Sequence, residues 1–132
     1  MAYLLDSNIL IYFFKNTGAV RARLEQKRDD EIQLCTPVIW EILSGTLKSQ
    51  NPSTQLARLQ AVQKRFAVLP FDLPSANAAA KIRANLELSG KPIGPVDTLI
   101  AGIAVANNLT VVTRNTREFS RIPDLKVENW YD

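Results

Sequence analysis

The sequence predicts an α/β fold with three layers, α/β/α, around a central, mostly parallel sheet of four to five short strands. Short, continuous apolar runs alternate with longer helix-type segments along the 132 residues, and such runs are typical of strands covered on both faces. Capping side chains and prolines stand where the helices should begin. No repeat or linker-like tract interrupts this alternation, so we expect one domain over residues 1–132.

The first half of the chain should contain two strands and four helices. Asp6-Ser7-Asn8 supplies capping side chains after the first strand, Asn16-Thr17-Gly18 should end the first helix, and Pro37 suits the start of the third. The predicted elements are strand 2–5, helix 9–14, helix 20–28, strand 32–36, helix 38–47 and helix 53–65.

The second half continues the alternation. Ser89-Gly90 should end an alanine-rich helix, and Pro95 can occupy the first position of the next helix, which places Asp97 in its opening turn. The predicted elements are strand 66–69, helix 75–88, helix 95–106, strand 109–113, a loop or short helix over 114–119 and a small final strand at Val127.

The composition limits the chemistry available. The chain has no histidine and one cysteine, so a zinc site that needs several imidazoles or thiolates cannot be assembled. Cys35 is expected to be a buried strand residue rather than a nucleophile. The net charge of +3 favours approach of a polyanion. Carboxylates remain as the groups that could carry catalysis.

The location expected from the sequence is cytoplasmic. The longest apolar runs, 9–14 and 99–106, are too short to cross a bilayer. No basic and apolar leader opens the chain, and a lone thiol fits a reducing compartment. We therefore expect no membrane association.

Three acids, Asp6, Glu41 and Asp97, stand inside apolar or helix-initiating stretches, unlike the other acids of the chain. Each alone has an ordinary explanation, because Asp6 could cap a helix and the other two could favour a helix N-terminus. Together they could meet at the carboxyl edge of one sheet, where their repulsion would call for a cation. Mg²⁺ and Mn²⁺ prefer such oxygen ligands.

Four motifs give the chain a resemblance to the PIN-domain ribonucleases, and especially to the VapC-type toxins of bacterial toxin-antitoxin pairs. The resemblance spans nearly the whole chain. The motifs are Tyr3-Leu4-Leu5-Asp6-Ser7-Asn8-Ile9, Trp40-Glu41-Ile42-Leu43-Ser44-Gly45, Pro92-Ile93-Gly94-Pro95-Val96-Asp97-Thr98-Leu99-Ile100-Ala101 and Thr113-Arg114-Asn115-Thr116-Arg117-Glu118-Phe119.

The resemblance implies a set of site residues and a reaction. Its metal ligands would be Asp6, Glu41 and Asp97, which are also the catalytic acids, with Asn115 as a fourth ligand for Mg²⁺ or Mn²⁺. The supporting residues it implies are Asn8, Thr113 and Glu118. The implied activity is that of an endoribonuclease, which would use an activated water and leave a 5′-phosphate and a 3′-hydroxyl.

The chain departs from the family pattern at Asn115, where many PIN domains have a fourth acid. An amide can coordinate or hydrogen-bond but adds no charge, so a second metal ion is in doubt. Glu118 is an alternative ligand, or else a surface acid beside a core aromatic. Ser7 stands where threonine is commoner.

The resemblance also implies partners. These are a cognate small antitoxin whose tail would cover the site, a second copy in a homodimer, and an RNA substrate of structured type such as tRNA. Arg114, Arg117 and Lys91 are the candidate RNA-binding residues, and scattered solubilising charge is the other explanation for them. Arg121, Lys81 and Arg83 could extend the same rim.

Two other functions are open at this point. A receiver-type or phosphoryl-transfer domain has a similar size and a Mg²⁺ site, but Asp6-Ser7-Asn8 lacks the second acid of an Asp-x-Asp motif, and glycine-rich nucleotide loops are absent. A catalytically weakened PIN-like module that binds RNA or protein would keep its function when Asp97 is neutralised.

Overall fold

Five short parallel strands form the centre of the protein, whose computed structural model describes residues 2–132. Their order in the sheet is β3-β2-β1-β4-β5, and each neighbouring pair is parallel. The strands are β1 (Tyr3–Leu5), β2 (Ile32–Cys35), β3 (Ala67–Leu69), β4 (Thr110–Val112) and β5 (Val127–Glu128). The predicted sheet is confirmed, and it is parallel throughout.

Seven helices connect these strands within the same residues. They are α1 (Ser7–Lys15), α2 (Val20–Glu25), α3 (Thr36–Leu47), α4 (Pro52–Arg65), α5 (Leu73–Leu88), α6 (Pro95–Ala106) and α7 (Thr116–Phe119). A single 3₁₀ turn, Asp29–Glu31, precedes β2. The α2 helix is shorter than predicted, and α5 starts two residues earlier, because Asp72 Oδ1 accepts hydrogen bonds from the backbone and hydroxyl of Ser75.

The central strand β1 places the beginning of the site. Leu5 pairs with Val112 of β4, and the backbone N–H of Asp6 donates to the Val112 carbonyl at 2.9 Å. Asp6 and Thr113 therefore leave the carboxyl ends of two adjacent strands side by side. Ligands of open parallel sheets bind at this edge.

The first turns of α3 have a buried face and an exposed face, although the sequence there is mostly apolar. In the sequence, Glu41 lies inside the apolar run 38–43, where burial of an ionised group without partners would be costly. Val38 and Ile42 are buried, but Trp40 is 61% exposed and Glu41 is only half-buried. The run is amphipathic with a helical period, so the expected burial cost is largely avoided.

The final residues pack on the start of the chain. Trp130 is buried with its ring 5.1 Å from that of Tyr3. The N–H of Ala19 donates to the Tyr131 carbonyl at 2.8 Å. Gly18 has φ +64°, and a Cβ there would lie 2.6 Å from the Tyr131 ring, so this turn requires glycine. The connection between α1 and α2 is thus held by the last residues.

The structure bears on the expectations for Cys35 and for membrane-spanning helices. Cys35 is buried in β2, as predicted, and burial raises the pKa of its thiol to about 12. None of the helices within residues 2–132 is long and apolar enough to cross a membrane.

The close packing of α5 on α6 leads to a stability prediction. A Cβ on Gly102 would lie 2.6 Å from Ala79 Cβ and 2.7 Å from the Ser75 carbonyl oxygen. Gly102→Ala should therefore lower the free energy of unfolding by about 1–3 kcal/mol through overpacking, as measured by urea denaturation.

Gly45→Ala is the matched control, because a Cβ on Gly45 of α3 meets nothing within 4 Å. It should raise the free energy of unfolding by about 0.5–1 kcal/mol, since alanine favours the helix. Equal effects of the two substitutions would contradict the close α5–α6 packing.

Candidate metal centre

Asp6 lies at the centre of the site and is only 4% exposed. One carboxylate oxygen accepts from the backbone N–H of Ser7 at 2.7 Å, which caps α1, and the other accepts from Thr113 Oγ1 at 2.8 Å. Burial raises the pKa of Asp6, the two hydrogen bonds oppose that rise, and the charges of Glu41 and Glu118 add to it. Asp6 therefore caps α1, as one of its two explanations predicted, and its role as a metal ligand stays a prediction.

Asn8 links Asp6 to the segment after β4. Its Nδ2 lies 3.5 Å from Asp6 Oδ2, and its Oδ1 accepts from the backbone N–H of Arg114 at 3.3 Å. The side chain therefore spans the two strand ends at which the site is built.

Glu41 approaches from the second turn of α3. The Ser7 hydroxyl donates to Glu41 Oε1, so the first residue of α1 orients an acid of another helix. The negative charge of Glu41 also raises the pKa of Asp6 and of Asp97. Asp6, Glu41 and Asp97 thus come close enough to repel one another.

Asp97 lies in the first turn of α6, as Pro95 predicted. Asn115 Nδ2 donates to Asp97 Oδ2 at 3.3 Å, and the backbone N–H of Asn115 donates to Thr113 Oγ1 at 2.9 Å. Burial and the adjacent carboxyl of Glu118 raise the pKa of Asp97 to about 7. Asn115 therefore contacts an acid of the site, although it supplies no charge.

Glu118 points to the site while its neighbour Phe119 is fully buried. Contact with the carboxyl of Asp97, then with Asn115 and the Gly94 backbone, lowers the pKa of Glu118, and the charge of Arg121 acts in the same direction. Glu118 is thus ionised while Asp97 is partly protonated near neutral pH. The two carboxyl groups behave as a pair that shares one proton.

The donor set fits a hard divalent cation, because every candidate ligand offers oxygen. Within residues 2–132, however, no three His, Cys, Asp or Glu side chains are already gathered into a metal-ligand cluster. Protein donors contact the acids instead: the Ser7 hydroxyl donates to Glu41, and Asn115 Nδ2 donates to Asp97. A cation would replace these contacts and offset the mutual repulsion of the acids.

The basic residues predicted to bind RNA differ in their surroundings. The Arg114 guanidinium lies 3.7 Å from the centroid of the Tyr131 ring and donates to the Tyr12 hydroxyl at 3.1 Å. Arg117 and Lys91 are exposed, and among residues 2–132 we find no hydrogen bond or ion pair of their side chains. Arg114 is thus held beside the site by Tyr12 and Tyr131, whereas the other two side chains show no comparable contact within the described residues.

Two of the basic residues that could extend the RNA-binding rim make local contacts instead. Arg121 Nη1 donates to the Pro92 carbonyl at 2.8 Å, which fixes the loop before α6. Arg83 pairs with Glu87 one turn further along α5. Lys81 lines a cavity with Ile122 and Pro123, and over residues 2–132 its side chain forms no hydrogen bond or ion pair.

Sequence reasoning missed the part that Ser7 plays toward Glu41. The signal was present, because Ser7 directly follows Asp6 at a strand end and its hydroxyl is free to reach a neighbouring helix. It also missed Tyr131, whose contact with Arg114 has no local signal in the sequence.

Comparisons with known proteins identify the relatives of this arrangement. The PIN domain profile matches residues 3–125. The tRNA(fMet)-specific endonuclease VapC of Shigella flexneri is 37% identical over 131 residues, which cover 98% of each chain.

Solved structures agree with the sequence comparison. A chain of VapBC2 from Rickettsia felis, in a structure bound to a DNA fragment from the VapBC2 promoter, matches with a TM-score of 0.91 at 33% identity. The match covers 98% of this chain and 99% of that one. DNA-bound VapBC from Salmonella typhimurium has a TM-score of 0.91 at 35% identity over 98% of both chains. The chain therefore belongs to the PIN-domain family and, within it, to the VapC ribonucleases.

Proposed function

We propose that the protein is a divalent-cation-dependent endoribonuclease that hydrolyses tRNA or other structured RNA and acts as the toxin of a toxin-antitoxin pair. The observation that carries the proposal is the convergence of Asp6, Glu41, Asp97 and Glu118 at one sheet edge, with the pKa of Asp97 raised to about 7. Such an accumulation of like charge is costly unless a cation joins it.

Asp6, Glu41 and Asp97 would hold Mg²⁺ or Mn²⁺, with Asn115 as a neutral oxygen ligand. When bound, such an ion lowers the pKa of a water and offsets charge on the phosphate oxygens. Asp6 suits a ligand role because its hydrogen bonds from Ser7 and Thr113 fix its orientation. One ion is the simpler proposal, since Asn115 contributes no charge.

The chain's own residues would control the proton. Glu118 is ionised beside a protonated Asp97, so release of that proton frees Asp97 as a ligand. Glu41, held by the Ser7 hydroxyl, or Asp97 itself would orient the attacking water and accept its proton. Cleavage would leave a 5′-phosphate and a 3′-hydroxyl.

The substrate class is supported by charge and by the relatives. The net charge is +3 although acids are gathered in the site, so the remaining surface is basic and attracts a polyanion. Arg114 lies beside the site, and Arg117 follows it on α7. The relative from Shigella flexneri is named as tRNA(fMet)-specific, which supports tRNA as the substrate to test first.

The partner would be a small antitoxin. Solved relatives were obtained as VapBC assemblies bound to DNA, which supports a second protein bound to this chain. We further propose a homodimer as the unit that the antitoxin binds.

Removal of one site acid should abolish cleavage. With Mg²⁺ or Mn²⁺, purified protein should cleave tRNA. Asp97→Asn, which removes a ligand, or added EDTA, which removes the ion, should reduce the initial rate by at least about 100-fold. The rate is measured from the amount of product on a denaturing gel over time.

Glu25→Gln is the matched control, because it neutralises an exposed acid of α2 away from the site and should leave the rate unchanged. Cleavage that persists in Asp97→Asn would exclude the carboxylate mechanism. A folded, antitoxin-free protein that binds RNA but cleaves none with either metal would instead be a PIN-like binding module.

The raised pKa of Asp97 predicts a pH-dependent stability in the absence of metal. In the unfolded chain Asp97 ionises near its ordinary value of 3.8, whereas in the folded protein it stays protonated up to about 7. The folded state therefore loses stability as pH rises from about 4 through 7. In EDTA, Asp97→Asn should raise the melting temperature more at about pH 8 than at about pH 4.

Addition of Mn²⁺ at about pH 8 should reverse the order of stability, because the ion binds the folded wild type more tightly than the variant. A melting-temperature difference that does not change with pH would show that Asp97 is not held in its protonated form.

A further inference from the structure

A groove between α1, α3 and α4 begins at an acid of the metal centre. This α1–α4 groove has a volume of about 260 Å³. Its lining residues are Ile11, Phe14, Lys15, Glu41, Ile42, Gly45, Thr46, Gln55 and Arg58.

The chemistry of the groove changes along its length. Glu41 lies where the groove meets the metal centre, and Ile11, Phe14 and Ile42 give an apolar floor. Lys15 and Arg58 bring positive charge and are exposed. Within residues 2–132 neither of these two side chains forms an ion pair, unlike Arg28, Arg65 and Arg83.

Gln55 adds hydrogen-bond donors to the same wall. Its Oε1 accepts from Thr46 Oγ1 at 3.2 Å, which leaves the two N–H bonds of the amide available to the groove. Cationic and amide N–H groups that stand over an apolar and aromatic floor are the features used to bind single-stranded nucleic acid.

Arg58 also lines a second cavity, of about 200 Å³, which shares Phe14 with the groove. The other arginines there are already engaged. Arg21 stacks on Phe13 and donates to its carbonyl at 2.7 Å, and Arg65 pairs with Asp29. Lys15 and Arg58 are therefore the cations of this surface that remain available to a ligand.

We propose that the α1–α4 groove binds the RNA strand on one side of the scissile phosphate, with Lys15 and Arg58 contacting backbone phosphates and Phe14 contacting a ribose or base. The proposal rests on the proposed ribonuclease function, because that function places a phosphate at Glu41. The strand must leave the metal centre over an adjoining surface, and this groove adjoins the centre at Glu41, which lines it.

The position of the groove favours RNA over an acidic peptide. Both would match Lys15 and Arg58, but only RNA also explains the end of the groove at Glu41, where the reacting phosphate of the proposed ribonuclease would lie. A protein occupant is accordingly the competing outcome of the test.

The test removes each cation in turn. Binding of a short, fluorescein-labelled single-stranded RNA is measured by anisotropy in EDTA, which keeps the RNA intact. Lys15→Ala and Arg58→Ala should each raise Kd by about threefold to fivefold at low salt, as expected for an exposed ion pair. The slope of log Kd against log salt should fall by about 0.7 for each lost contact.

Lys64→Ala is the matched control. Lys64 is an exposed cation of the same helix, α4, and it does not line the groove, so its removal should leave Kd within about twofold. Arg58→Lys should retain most of the affinity, because it keeps the charge. With Mn²⁺ and cleavable RNA, the two groove variants should raise KM and leave kcat unchanged.

Three results would overturn the proposal. If Lys64→Ala weakens RNA binding as much as the groove variants, the effect is general charge. If the groove variants bind RNA normally but lose the co-expressed antitoxin, the groove is a protein-docking surface. If wild type cleaves RNA and all variants match it, the groove does not bind RNA, while the ribonuclease function stands. Absence of both RNA binding and RNA cleavage in wild type would contradict the groove proposal and the proposed ribonuclease function together.

Discussion

The hydrogen bond from Thr113 Oγ1 to Asp6 Oδ2 is the contact on which the rest of the site depends. It joins the carboxyl ends of β1 and β4, and the same hydroxyl accepts from the backbone of Asn115. Asn115 in turn donates to Asp97. One buried threonine thus connects acids from a strand end and a helix start, and its loss would leave a buried carboxylate with fewer partners.

The like charges at this edge are accommodated in three different ways. Asp97 is partly protonated near neutral pH, Glu41 is held by the Ser7 hydroxyl, and Glu118 keeps its charge beside Arg121. Each device is local and reversible, so none of them would prevent the proposed ion from binding. The chain departs from an all-carboxylate site at Asn115, and that amide is what bridges Asp97 to β4.

Local rules predicted the positions of Asp6 and Asp97 because each lies at an element boundary with a clear marker. Asp6 follows an apolar strand and caps α1, and Pro95 begins α6 two residues before Asp97. The surroundings of Glu41 and the pairing of Asp97 with Glu118 were not predictable in this way. They depend on contacts between elements far apart in sequence, as does the stacking of Arg114 on Tyr131.

Because β1 lies at the centre of the sheet, the site can be completed only late in synthesis of the chain. Thr113 is 107 residues beyond Asp6, so a growing chain that has reached α5 contains β1, β2 and β3 with one edge of β1 unpaired. Asp6 then lacks its threonine, and Asp97, Asn115 and Glu118 have not been made. A nascent chain on the ribosome therefore carries no assembled nuclease site until β4 and α7 have emerged.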